Sequence, residues 1–197
     1  MLRGEFSMIL RYALVDVCGN DLFLACMDDK VVYAAFVDID NNLGVAGSYC
    51  VSSERMRRGV AGMYEFLQKN KFLGINEVVF EDAEPDYEAV KQIFDRAQKQ
   101  AENKDLILYG TQFQKAVWGK LLELQPSDVA SYSQIANELE MPKAVRAVGN
   151  AIARNHIAYL IPCHRVIRAD GGLGGFKWGT SLKGRLLEQE SQKRIEG

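Results

Sequence analysis

The sequence predicts an α+β unit followed by a mainly helical unit that contains a helix-turn-helix. Three observations carry that reading. Three short apolar runs near the start are separated by turn residues; apolar residues then recur at helical spacing; and two short helices flank a tight turn in the second half. The 197 residues are 48% hydrophobic and 25% charged, with a mean hydropathy of −0.15. That composition supplies a core for one or two domains and argues against collagen, a coiled coil or a disordered chain. The longest apolar stretch, Val31 to Val37, is strand length and well short of the ~18 residues a membrane span needs. Met1-Leu2-Arg3-Gly4 leads to Glu5 without a sustained apolar core, so no signal peptide is expected.

The elements follow in order. Met8–Val17, Leu22–Met27 and Val31–Val37 are punctuated by Cys18-Gly19-Asn20-Asp21 and Asp28-Asp29-Lys30, which reads as an antiparallel meander. Ser52-Ser53-Glu54 offers a helix start, and Met56, Val60, Met63 and Leu67 then line one helical face. Glu77–Phe80 reads as a short strand. Glu84-Pro85 starts a second helix with Val90, Ile93 and Ala97 on one face and Pro85 in its first turn. Gln98 to Asp105 is polar and aperiodic, the expected linker between a domain at 1–104 and one at 105–197.

Gly110-Thr111 caps a helix that carries Phe113, Val117, Leu121 and Leu124 on one face. Gln125-Pro126-Ser127-Asp128 ends it. Ser131 caps a second helix, Tyr132 to about Leu139, and Pro142 opens a third that runs to about Arg154. Ala144, Ala147 and Ala151 share a face of this third helix, Gly149 removes bulk beside them and Arg146 projects nearby. Small residues permit close approach to another surface, either the core or a narrow nucleic-acid groove.

Charge and cysteine usage add limits. Residues 1–104 hold 12 Lys and Arg against 17 Asp and Glu, whereas residues 140–185 hold 8 basic and 2 acidic side chains. A local basic patch suits a polyanion on one face; a solvated surface is the other reading. Cys18, Cys26, Cys50 and Cys163 form no Cys-x-x-Cys pair, and the two histidines, His156 and His164, both lie late. A zinc site in the first half would need three cysteines and a carboxylate, so no metal is expected. Reducing cytosol is the simplest compartment.

The chemistry-bearing segment is Ile161-Pro162-Cys163-His164-Arg165-Val166-Ile167, with Gly171, Gly172, Gly174 and Gly175 behind it. An imidazole adjoins the thiol, and Arg165 and Arg168 lie close in sequence. Positive surroundings favour the thiolate, which is the nucleophile. Neighbours on an extended strand point apart, so Cys163 and His164 communicate only through a turned backbone or a bridging water. An imidazole that takes a proton needs an orienting acceptor. Glu190 shares the face of Leu186 and Leu187 and could supply it; it could equally be an exposed carboxylate near the terminus.

These residues resemble the active-site signature of the O6-alkylguanine-DNA alkyltransferases. Further matches keep family order and spacing: Gly110-Thr111-Gln112-Phe113-Gln114 with Val117-Trp118, Ser131-Tyr132 with Ile135-Ala136, and Pro142 through Arg146-Ala147-Val148-Gly149. Asn155, Leu173-Gly174-Gly175, and Lys183 with Leu186-Leu187 and Glu190 complete the set. The similarity covers about residues 109–190; the first half is similar only in size and layout. The resemblance implies a ribonuclease-H-like α+β domain followed by a winged-helix/helix-turn-helix domain.

It also implies direct damage reversal. Cys163 would take the alkyl group from O6 of guanine irreversibly, once per molecule, without a cofactor. Glu190 would orient His164, and His164 would deprotonate Cys163 through a water. Tyr132 would donate its hydroxyl to ring N3 of the leaving guanine, where a donor stabilises developing charge. Asn155 would tie the recognition helix to the active-site loop. Carbonyls of Cys163 and Val166 would read the guanine amino group, with Phe176 and Lys177 completing the pocket. The partner would be double-stranded DNA bound through its minor groove by a monomer. Ala147 and Gly149 would permit close approach while Arg146 fills the space left by the flipped nucleotide. The location would be cytoplasmic, with the nucleoid, or nuclear.

Several positions depart from the family pattern. Val145 stands for a frequent Ala, His156 for Pro, Phe176 for Tyr and Lys177 for a small polar residue, changes that bear on pocket size and alkyl preference. Glu140 holds a turn position usually given to Gly, where a positive φ would cost about 1–2 kcal/mol. The first half lacks a four-cysteine cluster, so phosphotriester repair and methyl sensing are not implied. Two other classes remain: a DNA-binding regulator or damage flag with an inert Cys163, and a Cys/His hydrolase that turns over.

Overall fold

The computed structural model describes residues 10–27, 29–37, 54–70, 86–100 and 103–196. Strands β1 (Leu10–Val17), β2 (Asn20–Met27) and β3 (Lys30–Phe36) form the expected meander, an antiparallel sheet in the order β1-β2-β3. Leu14 pairs with Phe23 and Leu24 with Ala34. Cys18 and Gly19 link β1 to β2 with φ of 60° and 71°, the backbone of a two-residue hairpin whose twist matches its strands.

Helices α1 (Glu54–Lys69) and α2 (Tyr87–Gln100) pack on this sheet. In α1 the buried stripe is Met56, Gly59, Met63 and Leu67, close to the predicted face. Gly59 is needed there because a Cβ would lie 2.2 Å from Cδ2 of Phe23. Helix α2 starts at Tyr87, with the Asp86 carboxylate accepting from the Ala89 amide at 3.1 Å. The helix continues to Gln100, and a 3-10 turn at Asn103–Asp105 follows, held by Arg96 to Asp105 at 2.9 Å. The predicted strand at Glu77–Phe80, the helix-start residues Ser52, Ser53, Glu84 and Pro85, the N-terminal tetrapeptide and Cys50 lie outside the described residues.

The second half is built from α3 (Gln112–Leu122), β4 (Ala130–Ser131), α4 (Tyr132–Glu138), α5 (Val145–Ala153), β5 (Val166–Ile167) and α6 (Thr180–Glu196). Thr111 with Gln114 and Ser131 with Gln134 form full capping boxes on α3 and α4. Pro142 opens a 3-10 turn rather than α5 itself. The small-residue face of that helix is divided. Ala151 joins Val148 and Ile152 in the core, where Trp118 donates to its carbonyl at 3.0 Å, while Ala147 is exposed. The alanine spacing alone carries no information on which side faces inward.

Helix α4 ends as the sequence requires. Glu140 takes φ 58°, its amide bonds Asn137 O at 2.9 Å, and the Met141 amide bonds Ala136 O at 2.9 Å. This is a Schellman ending with a side chain where glycine is favoured. Glu140→Gly is expected to raise unfolding free energy by about 1 kcal/mol, read from urea denaturation.

The two halves share one core, joined along the outer edge of β3. Ile107 donates to Val31 O at 2.8 Å, Ala34 donates to His156 O and Ala158 donates to Ala34 O, both at 2.9 Å. The edge that would otherwise be unpaired thereby holds the segment leading to Cys163. His156 is buried at this seam, stacked on Phe66 at 4.5 Å and edge-on to Trp118 at 5.2 Å. Burial lowers its pKa to about 4, so it is neutral at pH 7. Among the described residues, no helix is long and apolar enough to cross a membrane.

Candidate active site

Cys163, His164 and Arg165 form a single 3-10 turn behind Pro162. The backbone is turned, which separates the two side chains without placing them on opposite faces of a strand. Asn155 anchors the turn from the end of α5. Its amide nitrogen donates to Ile161 O at 3.0 Å and to Cys163 Sγ at 3.2 Å, and its oxygen accepts from the Ile157 amide at 2.9 Å. Burial raises the Cys163 pKa, opposed by the Asn155 hydrogen bond and by Lys183.

Glu190 is not the exposed terminal carboxylate that the sequence left open: it is 6% exposed. His164 is fully buried, with Nε2 2.9 Å from Glu190 Oε1. Arg165 grips the same carboxylate through Nε to Oε2 at 3.0 Å and Nη2 to Oε1 at 2.8 Å, and its Nη1 donates to Leu124 O at 2.6 Å. Ser127 ties the loop before β4 to α6 by donating to Glu190 O at 2.7 Å. Burial opposes ionisation of Glu190, but hydrogen bonds from His164 and Arg165 outweigh it and hold the pKa near 2. Burial lowers the His164 pKa despite Glu190, so the imidazole rests neutral. Its Nδ1 is buried without a partner among the described residues, free to receive a proton.

The arginines do not serve as predicted. Arg165 is paired with Glu190, and Arg168 makes an exposed pair with Asp170 at 2.6 Å. A guanidinium neutralised by its own carboxylate has little field left for a thiolate. The cations acting on Cys163 are Lys183 and, more weakly, Lys177; Lys183 is fully buried on α6, and its Nζ donates to the carbonyls of Val166 and Leu173 and to Gly175 O at 3.4 Å. Burial brings its pKa down to about 8. A lysine facing three loop carbonyls fixes the loop around the thiol. Its helical neighbours Leu182 and Leu186 are the only hint of inward orientation in the sequence.

Tyr132, at the start of α4, is half-buried beside α5 and the glycine loop. A Cβ on Gly149 would meet its ring at 3.7 Å, and one on Gly174, which has φ 67°, would come within 3.2 Å of its hydroxyl. Burial and then the Cys163 charge raise its pKa, which keeps the phenol a hydrogen-bond donor. Arg146 and Ala147 are exposed on α5, on the side away from the core. Val166 is buried on β5, paired with Ala130. The Cys163 carbonyl accepts from the Val166 amide and the Val166 carbonyl from Lys183, leaving one lone pair on each. Phe176 packs edge-on to Trp178 at 5.2 Å, and the exposed Lys177 sits 5.1 Å from the Trp178 ring centre.

Residues 112–192 match the family model for the 6-O-methylguanine DNA methyltransferase DNA-binding domain. The bifunctional transcriptional activator/DNA repair enzyme Ada of Escherichia coli is 48% identical over 87 residues, which are 44% of this chain and 25% of that protein. A methylated-DNA–protein-cysteine methyltransferase of Candida glabrata is 29% identical over 192 residues, 93% of this chain and 86% of the relative. The crystal structure of Mycobacterium tuberculosis OGT in complex with DNA superposes with a TM-score of 0.61 at 27% identity, covering 93% of this chain and 94% of that one. Residues 112–192 are thus similar to the DNA-binding domain of the 6-O-methylguanine DNA methyltransferases, and the fold resembles that of the Mycobacterium tuberculosis OGT along nearly the whole chain.

Proposed function

We propose that this chain repairs DNA by moving an alkyl group from O6 of guanine to Cys163, once per molecule. The observation that carries this is the hydrogen-bonded line Glu190–His164 on the same turn as Cys163, whose Sγ faces Asn155 at 3.2 Å. The buried thiol resists ionisation, so a base must take its proton when the substrate is in place. His164 accepts that proton at Nδ1 through a water while Nε2 donates to Glu190. The S–C bond then forms as the C–O6 bond breaks, and the electron pair spreads from O6 into the guanine ring. Tyr132 donates its hydroxyl proton at N3. The carbonyls of Cys163 and Val166 accept from the guanine amino group, and Phe176 with Lys177 rims the pocket.

The partner is double-stranded DNA, met by a monomer with α5 in the minor groove. The exposed Arg146 and Ala147 with Gly149 behind them support that placement. The meander with α1 and α2 supports a ribonuclease-H-like domain at 1–104. The region from α3 to β5 supports a winged-helix domain at 105–197. The protein works wherever the DNA is held, in the cytoplasm or the nucleus.

The test is intact mass after incubation with a duplex that carries one O6-methylguanine. The expected result is one added methylene per protein, mapped to Cys163 and absent in Cys163→Ala, which still binds the duplex. Tight binding without a mass gain would identify a damage flag or regulator.

A further inference from the structure

The catalytic imidazole is held on its face as well as at its edge. Tyr159 lies between α5 and the Cys163 turn, and its backbone takes φ 68°. A bulky side chain occupies that region at a cost of about 1–2 kcal/mol, and such strain persists only where the surroundings impose it. Here they do: Ala158 is bonded to β3 through Ala34, and the amides of Leu160 and Ile161 close onto Ala158 O at 2.8 Å and Ile157 O at 3.1 Å. The result is a Tyr159 ring parallel to the His164 ring, 5.6 Å away at 7°. The same tyrosine contacts Phe94 of α2, 6.1 Å away at 29°.

The Glu190 hydrogen bond fixes Nε2 of His164 but leaves the ring able to rock about that contact. A parallel ring at stacking distance removes this freedom. Tyr159 also lines a cavity of about 340 Å³ shared with Cys18, Leu122, Pro162, Arg165 and Glu190. Loss of the ring would extend that space toward the imidazole. The charged groups acting on His164 are Glu190 and Lys183 from α6 and Arg165 from its own turn; Cys18, Glu190 and Arg165 act on Tyr159.

We propose that Tyr159 is a positioning residue for His164, and that Phe94 makes α2 part of the mounting of the base. The first half of the chain thereby contributes to the reaction without touching substrate. The proposal rests on the alkyl-transfer reading of Cys163.

The experiment uses the full chain with Tyr159→Phe, Tyr159→Leu and Phe94→Leu. Two quantities are measured: the rate of Cys163 alkylation by iodoacetamide against pH, and single-turnover methyl transfer from duplex. Tyr159→Phe keeps the ring and should stay within about twofold of the parent. Tyr159→Leu should be slower on the order of tenfold in both, with the pH midpoint of iodoacetamide reaction raised. Phe94→Leu, the milder change should Tyr159→Leu fail to fold, should fall between. A folded Leu variant with parental rate and midpoint overturns the proposal, as does a Phe variant as slow as the Leu variant. A parent that transfers nothing from duplex, yet shows the Tyr159-dependent iodoacetamide profile, defeats the repair reading and leaves the ring stack standing.

Discussion

Glu190→Gln is expected to slow alkyl transfer on the order of 100-fold and to lower stability by about 3 kcal/mol. The substitution keeps shape and removes charge. Arg165, largely buried, loses its bidentate partner, and His164 loses the anion that stabilises it once protonated. The stability effect carries a pH signature. The folded carboxyl ionises near 2 instead of its ordinary 4.5, a difference of about 3 kcal/mol. A depressed pKa means the stabilisation is complete above pH 4.5 and disappears as pH falls toward 2. Urea denaturation of parent and variant should therefore show a gap at pH 7 that narrows below pH 4.5. His156, lowered to about 4, acts with the same sign between pH 6.5 and 4 in both proteins and cancels in the comparison. A variant with the parental transfer rate would remove Glu190 from the relay.

Arg146→Ala should reduce repair of duplex by about 10- to 100-fold while reaction with free O6-benzylguanine stays within about twofold. Arg146 is exposed on α5 and, among the described residues, makes no ion pair, so its loss disturbs no part of the site. Tyr132 is seated against Gly149 on that helix, which places the exposed arginine beside the pocket. Flipping a nucleotide costs a few kcal/mol of stacking, and a planar cation in the gap recovers part of it. A free base needs no flipping. Single-turnover rates on the two substrates make the comparison; equal losses on both would assign Arg146 to the chemistry and not to the helix it opens.

Much of the local structure was legible in the sequence. The hairpins follow from turn residues between apolar runs, and Thr111 and Ser131 marked their helices because a cap acts within three residues. The strained turn at Glu140 is visible through the resemblance, which places Gly at that position. The Ala151 face is not, because a stripe of small residues packs inward or outward equally well. The role of Arg165 was misread for a related reason. Its closeness to Cys163 in sequence was plain, but its partner lies 25 residues away.

Most of the helices and strands, the thiol with its neighbouring imidazole, and the family resemblance that joins them to guanine can be read along the chain. All of these are set by residues within a few positions of one another, or by order along the chain. The state of the site comes from the folding of distant segments together. That folding buries Glu190 against His164 and Arg165, puts Lys183 among loop carbonyls, and lays Tyr159 on the imidazole from a backbone that the edge of β3 constrains. Charge interactions and desolvation depend on distance and burial in space, and neither is encoded in any one segment.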